Sequence, residues 1–550
     1  FAGICRYETL QHQDAGIVEC GHHGGRQRPV GRRSETRNAR AWVDGAWLLA
    51  TGTGYSITAV GRFGHGATIV VKKDHWMLRK PLILSLSIAA LAACGAPGDQ
   101  PGGGNDASID MIIEGDYVVT MDESRSIIEN GAVAIDEGLI LDVGSATEIA
   151  DRFTAEVRLD GAGRIVMPGL INGHSHAAMT LLRGVADDLD LMDWLQNYIF
   201  PSEVEFVDEE FVRIGTTLAC WEMIRGGTTT FVDMYYYPDT IAAAVEACGL
   251  RAYVAATVID QRSPDAESAA DSLARGQGFV TRWQGRSGRI TPIWGPHANY
   301  TLNAEQLAAT RAAADASGVP VSIHMSESPF ELEYSKQTYG ATSIEFFDSI
   351  GFLDGPTIGA HVVWPTEAEI RTLAERQVGV IHNPTSNMKI SSGISPVTEM
   401  IAAGVRVGLG TDGAASNNDL DMWEEMRLAA LLQKVSTMDP KALSADTVLA
   451  MATRDGAAAI GLGDITGSLE IGKRADVIQV SFDDVHFVPT YNVVSHLVYV
   501  ADEQDVAATV VDGRLLMRGD EFLTIDTGQV RSEATELAGR IRDALAARNP

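Results

Sequence analysis

Side chains that can bind a metal or move a proton stand at the ends of several apolar segments of this chain. Thirteen histidines are present, and six of the eight that follow Met77 close or directly follow a short apolar run. An aspartate in the segment Gly410-Thr-Asp-Gly takes the same kind of position. These seven residues are His174, His176, His297, His324, His361, His382 and Asp412. Imidazoles and a carboxylate placed in this way predict a metal centre with acid and base groups beside it.

His174 and His176 begin the series as a His-x-His motif. Residues two apart on a strand share a face, so both imidazoles should point into the same interior. His324 and Asp412 end two later apolar runs. Three imidazole nitrogens and one carboxylate suit Zn²⁺ and leave one position for water. A carboxylated lysine on the fourth strand would indicate two metals, but residues 293–297 contain no lysine. We therefore expect one zinc ion per chain, with iron as the alternative.

Glu327 lies three residues after His324 and is the candidate general acid/base. Its carboxylate can stand beside a metal without binding it, which is the position that proton transfer requires. In zinc deaminases, a glutamate that is not a ligand acts as the general acid/base. His361 can hydrogen-bond the attacking oxygen or the leaving group. Asp412 can accept a proton as well as bind the metal.

Strands and helices alternate in the part of the chain that carries these residues. The apolar runs predict eight strands, at Arg164–Leu170, Thr228–Tyr235, Ala252–Ile259, Arg289–Trp294, Val319–His324, Thr357–His361, Val378–His382 and Val405–Gly410. Helices are expected between them, among others at Glu209–Arg225, Ala304–Ala316, Glu367–Glu375 and Asp421–Gln433. Eight such units predict an α/β protein with a (β/α)8 TIM-type barrel, in which active sites lie at the carboxyl ends of the strands.

Short apolar strands broken by Gly and Asp stand on both sides of this region. We expect residues 109–167 and 464–525 to form a small composite β-sandwich from both ends of the chain. Residues 168–463 should form the barrel, and residues 526–550 a C-terminal helix.

The first part of the chain differs in character from the rest. Residues 1–76 are rich in Gly, Arg and His without a sustained period, so we interpret them as a non-native upstream extension. Residues 77–94 join a basic start to an apolar stretch that ends in Leu-Ala-Ala-Cys94, which resembles a bacterial lipoprotein signal. Residues 95–108 form a Gly- and Pro-rich tether. This order predicts a lipid-anchored protein on the periplasmic side of the cell envelope; the alternatives are a disordered extension with a chance apolar run, and a cytoplasmic protein.

The composition restricts the partners. A net charge of −30 argues against nucleic-acid binding, which requires a basic footprint. Five cysteines are too few for a disulfide framework, and Cys220 and Cys248 lie in apolar helical segments, where we expect buried thiols. We expect a small-molecule substrate as the partner. The protein should contact a membrane only through the lipid anchor, and the sequence is compatible with a homo-oligomer.

The run from Pro168 to Trp194, which begins Pro-Gly-Leu-Ile-Asn-Gly-His-Ser-His-Ala-Ala-Met-Thr-Leu-Leu-Arg-Gly, resembles the amidohydrolase superfamily. Within it, the run is most similar to the 5-methylthioadenosine/S-adenosylhomocysteine deaminases, and the chlorotriazine and N-ethylammeline hydrolases share most of its motifs. The segments 222–230, 383–389 and 410–418 support the same resemblance. It covers roughly residues 109–525, which is most of the chain after the tether.

The resemblance implies roles for individual residues. The implied zinc ligands are His174, His176, His324 and Asp412. Glu327 and His361 become the proton-handling pair. Glu203 is similar to a ribose-binding glutamate, His297 to a histidine that contacts the substrate, and Trp194 to an aromatic pocket wall, although ordinary core packing also explains Trp194.

Together these residues predict a zinc-dependent hydrolase that deaminates an aminated heteroaromatic ring and releases ammonia. The adenine of 5-methylthioadenosine, adenosine or S-adenosylhomocysteine is the expected substrate. A triazine or pterin amino- or chlorohydrolase on the same metal site is the alternative enzyme, and an inactive envelope binding protein is the alternative of another class. Some members of the family carry an arginine on the third strand that binds the homocysteine carboxylate, where this chain has Ala255 and Ala256.

Overall fold

The structure is a computed structural model that describes residues 107–548 and, in the first 100 residues, the backbone of six short strands. These strands are β1 (Ile4–Thr9), β2 (Gly16–Gly21), β3 (Ala39–Val43), β4 (Ala46–Ala50), β5 (Tyr55–Thr58) and β6 (Val70–Lys73). The first four form one sheet and the last two pair with each other. Contacts divide the chain into the units Phe1–Gln100 and Pro101–Pro550. The lipoprotein-type signal at 77–94 and residues 95–106 of the tether lie outside the described residues, and the interpretation of residues 1–76 stays a prediction.

The second unit alternates strands and helices over most of its length. Its strands are β7 (Ala107–Val119), β8 (Ile127–Asp136), β9 (Leu139–Ser145), β10 (Phe153–Leu159), β11 (Arg164–Pro168), β12 (Leu170–Ser175), β13 (Thr228–Tyr235), β14 (Arg251–Val258), β15 (Ile290–Pro296), β16 (Val321–Met325), β17 (Thr357–His361), β18 (Gly379–His382), β19 (Arg406–Leu409), β20 (Val477–Ser481), β21 (Val506–Val511), β22 (Arg514–Arg518) and β23 (Glu521–Phe522).

Helices connect the strands and end the chain. They are α1 (Ala146–Arg152), α2 (Leu191–Asp193), α3 (Phe200–Phe206), α4 (Glu209–Arg225), α5 (Pro238–Cys248), α6 (Ala269–Trp283), α7 (Ala304–Ser317), α8 (Pro329–Tyr339), α9 (Ser343–Ser349), α10 (Glu367–Glu375), α11 (Pro384–Lys389), α12 (Val397–Ala402), α13 (Met422–Thr437), α14 (Ala445–Met451), α15 (Arg454–Ala459), α16 (Val493–Tyr499) and α17 (Thr527–Arg548). Among the described residues, no helix is both long and apolar enough to cross a membrane.

Eight parallel strands, β12 to β19, stand side by side in chain order and form the predicted barrel. The barrel closes where β12 meets the end of β19, because Ser175 pairs with Asp412 and the Asp412 N–H donates to the His174 carbonyl oxygen at 2.9 Å. Most strand residues are buried, since side chains fill the interior and helices cover the outside. The closing seam therefore lies at the residues that the sequence marks as metal ligands.

Strands from both ends of the second unit form one mixed sheet of nine strands, in the order β23-β22-β21-β20-β11-β7-β8-β9, with β10 also paired to β7. Apolar residues from both ends share a core there, including Ile113, Val133, Val477 and Val510. The expected composite β region is thus built from the two segments that the sequence indicates. Helix α17 occupies the predicted C-terminal position.

One predicted strand is wrong. Arg164–Leu170 was expected to begin the barrel, but β11 ends at Pro168 and pairs with β20 and β7 of the mixed sheet. The barrel begins at Leu170, after Gly169 donates its N–H to the Asp476 carbonyl oxygen at 3.0 Å. Apolar residues stand on both sides of this joint, and the Pro168-Gly169 dipeptide between them is the turn signal that could have separated the two strands. The other seven predicted strands lie within two residues of their expected bounds.

Candidate active site

The four predicted metal ligands converge at the closing seam of the barrel. His174 lies at the end of β12, His176 follows it, His324 lies in β16 and Asp412 follows β19. The His176 Nε2 atom lies 3.3 Å from the His324 Nε2 atom and 3.1 Å from the Asp412 Oδ1 atom. The His174 Nε2 atom lies 3.5 Å from the same oxygen.

These donor atoms fit a tetrahedral divalent cation. Zinc bonds of about 2.0–2.1 Å place neighbouring donors about 3.3 Å apart, and the observed separations are 3.1–3.5 Å. Both ring nitrogens of His174 are buried and lack a hydrogen-bond partner among the described residues. Buried polar atoms are almost always partnered, so this imidazole is arranged for a ligand that is not a protein group.

Backbone carbonyl groups fix the tautomers of two of the histidines. The His324 Nδ1–H donates to the His297 carbonyl oxygen at 2.8 Å, and the His176 Nδ1–H donates to the Met234 carbonyl oxygen. Because a carbonyl oxygen only accepts, both Nδ1 atoms carry hydrogen, and both Nε2 atoms face the site as the nitrogens that can bind a metal. This is the usual outer-shell arrangement of metal-binding histidines.

Asp412 is held by three donors. The hydroxyls of Ser386 and Ser416 donate to its Oδ2 atom at 2.7 and 2.9 Å, and the Gly413 N–H donates to Oδ1 at 2.8 Å. Burial opposes ionisation, but the adjacent imidazoles of His174 and His176 outweigh it and lower the pKa of Asp412 well below its usual value. Asp412 also has a left-handed backbone, with φ of 62°, which is uncommon for a residue other than glycine.

The pKa values of the metal-site histidines shift in opposite directions. Burial lowers the pKa of His174 to about 4 and that of His324 well below its usual value, so both are neutral, as metal ligands must be. For His176, burial works against protonation, but the adjacent Asp412 carboxylate prevails and raises the pKa to about 9. The His176–Asp412 pair therefore holds one proton, which a bound cation displaces.

Glu327 and His361 lie together on the opposite side of this cluster. The Glu327 Oε1 atom is 4.0 Å from the His361 Nε2 atom, which is itself 3.9 Å from the Asp412 Oδ2 atom. Burial raises the pKa of Glu327 to about 7, which suits a group that both accepts and donates a proton near neutral pH. The His361 Nδ1 atom lies 2.9 Å from the Asn387 Oδ1 atom, so this amide orients the ring.

A partly open cavity lies against these groups. Its wall contains the predicted residues His176, His324, Glu327, His361 and Asp412 together with Trp194, Glu203 and His297. The structure thus brings to one cavity all the predicted site residues except His174, which lies buried beneath it in contact with the His176 and His324 rings. His382 does not line the cavity; it is buried, and burial lowers its pKa to about 3.

Glu203 and Trp194 are supplied by the segment between β12 and α4. Asp190 begins this segment as the N-cap of α2, and a π-helical stretch, Trp194–Ile199, joins α2 to α3. Glu203 is buried in α3, its Oε2 atom accepts a hydrogen bond from the Tyr236 hydroxyl at 3.2 Å, and burial raises its pKa to about 7. The Trp194 Nε1 atom is buried and has no protein partner among the described residues.

His297 presents a neutral acceptor to the cavity. Its Nδ1 atom lies 3.1 Å from the Thr301 hydroxyl, which donates its own hydrogen to the Ala298 carbonyl oxygen. The hydroxyl must therefore accept from the Nδ1–H of His297, and the His297 Nε2 atom keeps its lone pair. Burial lowers the pKa of His297 to about 3, so the ring stays neutral at any physiological pH.

Several residues of the cavity wall were missed from the sequence. Tyr235, Tyr236, Thr257 and Tyr300 line it, and the hydroxyls of Tyr235 and Tyr236 are buried near Glu203. Tyr235 closes β13, so an aromatic residue at a barrel strand end was the signal that could have identified this wall.

Comparison with known proteins gives a consistent result. A sequence profile of the Amidohydrolase family matches residues 165–516. The 5'-deoxyadenosine deaminase of Methanosarcina mazei is 46% identical over 430 residues, which are 78% of this chain and 98% of that protein. The 5-methylthioadenosine/S-adenosylhomocysteine deaminase of Desulforudis audaxviator is 45% identical over 79% of this chain and 100% of its own. Among solved structures, an adenosine deaminase from Xanthomonas campestris with bound zinc is similar, with a TM-score of 0.78 and 38% identity over 80% of this chain and all of that one.

Proposed function

The chain belongs to the amidohydrolase family and is a metal-dependent hydrolytic deaminase, and we propose that its substrate is the adenine ring of an adenosine with an apolar 5' group. Compounds of this kind are 5'-deoxyadenosine and 5-methylthioadenosine. The observation that carries the proposal is a buried carboxylate, Glu203, in the same cavity as the acid/base pair and the metal-binding cluster. The names of two relatives that match over nearly all of their length include these compounds, and the second name also includes S-adenosylhomocysteine.

We propose that the cation is one zinc ion per chain, held by His174, His176, His324 and Asp412. The separations of their donor atoms and the zinc in the similar adenosine deaminase structure support this choice. A bound zinc ion acts as a Lewis acid and lowers the pKa of a coordinated water molecule to about 7.

The acid/base pair then performs the proton transfers of deamination. Water adds to the amino-bearing C6 carbon of adenine, and Glu327 accepts its proton and passes it to the ring nitrogen N1. The Nε2 atom of His361 orients the attacking oxygen. Asn387 holds the imidazole ring in place through its contact with the Nδ1 atom. The remaining proton of the added hydroxyl then moves to the amino nitrogen, the C6–N bond breaks as the C6=O bond forms, and ammonia leaves an inosine-type product that keeps the proton on N1.

Glu203 is the proposed ribose contact. Tyr236 donates to its Oε2 atom, so the Oε1 atom and the remaining lone pairs can accept from the ribose hydroxyls. Hydrogen bonds to a charged group are about twice as strong as neutral ones. A triazine or pterin ring has no ribose and leaves the Oε1 atom of this buried carboxylate without a hydrogen bond from the substrate, which argues against the alternative hydrolases.

The remaining side chains of the cavity wall are apolar. They are Met179, Leu191, Leu195, Ile199, Phe200, Met234 and Ile390. None of the described residues that line the cavity is a lysine or an arginine, so the charged end of S-adenosylhomocysteine lacks a counter-ion there. Ala255 and Ala256, where some members of the family carry an arginine, do not line the cavity, whereas Thr257 of the same strand does.

A panel of purified-enzyme assays tests the substrate. We expect 5'-deoxyadenosine and 5-methylthioadenosine to be converted with release of ammonia. The kcat/KM for S-adenosylhomocysteine should be at least about tenfold lower, because an unpaired charge in an apolar cavity is costly. A preference for S-adenosylhomocysteine would refute the apolar 5' site, and turnover of N-ethylammeline in place of any nucleoside would favour the triazine branch.

We also propose that Cys94 carries a lipid and anchors the chain in the bacterial envelope. The order of a basic start, an apolar stretch, small residues and cysteine supports this. Expression in a Gram-negative host should place the protein in the membrane fraction and the Cys94→Ala variant outside it. Equal cytosolic recovery of both forms would contradict the anchor.

A further inference from the structure

A second glutamate, Glu331, is fully buried in the first turn of α8, behind the wall of the cavity. Its Oε1 atom accepts the N–H of Ser326 at 2.9 Å, and its Oε2 atom accepts the N–H of Glu327 at 2.7 Å. It does not line the cavity, and it is not a metal ligand. A side chain that does not line the cavity therefore holds the two peptide groups on either side of Ser326.

The position of Glu331 in its helix would ordinarily give a different contact. Ser328 is the N-cap of α8 and Glu331 stands three residues later, the spacing of a capping box. In a capping box the glutamate accepts the N–H of the N-cap residue itself. Glu345 does this in α9, where it accepts the N–H of Thr342 at 3.1 Å. Glu331 instead reaches past the N-cap to the two residues before it, which include the acid/base residue.

Ser326 connects this clamp to the second member of the acid/base pair. Its carbonyl oxygen accepts the N–H groups of Val363 at 2.9 Å and Trp364 at 3.1 Å, in the loop that directly follows His361. Ser326, His361 and Val362 all have left-handed backbones, with φ of 52°, 74° and 45°. Such conformations cost about 1–3 kcal/mol each and persist where neighbouring contacts hold them. The Ser326 peptide thus joins the loops after β16 and β17.

We propose that Glu331 is a positioning residue, which sets the place of Glu327 directly and that of the His361 loop through Ser326. This inference rests on the proposed deaminase function of the site. A carboxylate suits the task because its two oxygens accept two adjacent N–H groups at once. A glutamine offers one oxygen and turns an NH₂ group towards the other N–H, while an aspartate is one methylene shorter and cannot reach both.

The test compares Glu331→Gln and Glu331→Asp with Glu345→Gln, which makes the same change at the same position of an ordinary capping box. For Glu331→Gln we expect kcat to fall about 10- to 100-fold, since small misplacements of catalytic groups cost this much. The KM should stay within about twofold and the metal content should not change, because neither Glu203 nor the ligands are touched. The kcat of Glu331→Asp should also be lower than that of the wild type, and Glu345→Gln should keep the wild-type kcat.

Amide hydrogen exchange provides a readout that does not depend on turnover. Exchange of the Ser326 and Glu327 amides should accelerate in Glu331→Gln and stay at the wild-type rate in Glu345→Gln. A wild-type kcat in Glu331→Gln with only a lower Tm would overturn the proposal, as would unchanged exchange of the two amides. If Glu331→Gln does not fold, a wild-type kcat in Glu331→Asp overturns it equally. If the wild-type enzyme deaminates no nucleoside, the proposed function fails, and the exchange rates still decide the clamp.

Discussion

The Nε2 atoms of His176 and His324 face each other across 3.3 Å, although the Nδ1 atom of each ring already donates to a backbone carbonyl. Two imidazole lone pairs at this distance repel unless a cation or a proton lies between them. Strand β16 and the turn after β12 hold the two rings in this arrangement, which a divalent ion stabilises. Folding of the barrel therefore supplies most of the free energy needed to bring the ligands together.

We predict about one tightly bound divalent ion per chain. Removal of the ion by a chelator should abolish deamination and lower Tm, because a ligand that binds only the folded state stabilises it. Addition of one equivalent of zinc should restore both. Metal analysis that finds two ions per active chain would contradict the single site.

The Glu327→Gln variant should keep its metal and lose most of its turnover. Glutamine preserves the size of the side chain but cannot carry a proton, and this transfer contributes typically about 10²- to 10⁴-fold. Steady-state kcat, measured beside metal content and Tm, gives the answer. A kcat near that of the wild type would remove Glu327 from the mechanism.

Nucleoside binding should strengthen as the pH rises through about 7. Burial raises the pKa of Glu203 from 4.5 to about 7, so the carboxylate is mostly protonated at pH 6 and ionised at pH 8. Only the ionised form accepts ribose hydroxyls with both oxygens, so the KM for 5'-deoxyadenosine should fall over this range. The Glu203→Gln variant should lack this fall. A pH-independent KM in the wild-type enzyme would show that ionisation of Glu203 does not control binding of the nucleoside.

Glu203 should also discriminate nucleosides from free rings. In Glu203→Ala, the KM for 5-methylthioadenosine should rise by roughly one to two decades, since each hydrogen bond to a charged group contributes about 1.5–3 kcal/mol. Turnover of a ribose-free aminated heterocycle, where it is measurable, should change little because the metal ligands and Glu327 are untouched. Equal losses on both compounds would assign Glu203 to the fold.

The metal cluster could be predicted because its residues break apolar strands. A histidine at the end of a buried apolar run, such as His324 or His361, indicates a catalytic or metal-binding role. In a (β/α)8 barrel the carboxyl ends of all the strands lie at the same end of the barrel, so these residues were expected to meet there. The buried thiols of Cys220 and Cys248 followed from their apolar helical surroundings in the same way.

The parts that could not be predicted depend on the three-dimensional packing. Glu331 has the spacing of an ordinary capping box, and only the left-handed turn at Ser326 directs it to the catalytic loop. The change of sheet at Gly169 is marked in the sequence only by the Pro168-Gly169 dipeptide, which signals a turn but not which sheet the next strand joins. The surroundings of Glu203, the proposed ribose contact, depend on Tyr236, which lies 33 positions away in the chain.

Ammonia release from 5'-deoxyadenosine tests the central claim most directly. Purified, zinc-loaded enzyme should release one ammonia for each hypoxanthine-containing product, and Glu327→Gln should supply the background rate. Stoichiometric release that requires both zinc and Glu327 is the predicted result. Binding of the nucleoside without release of ammonia, or turnover confined to ribose-free rings, would contradict the assignment of this site to adenine deamination.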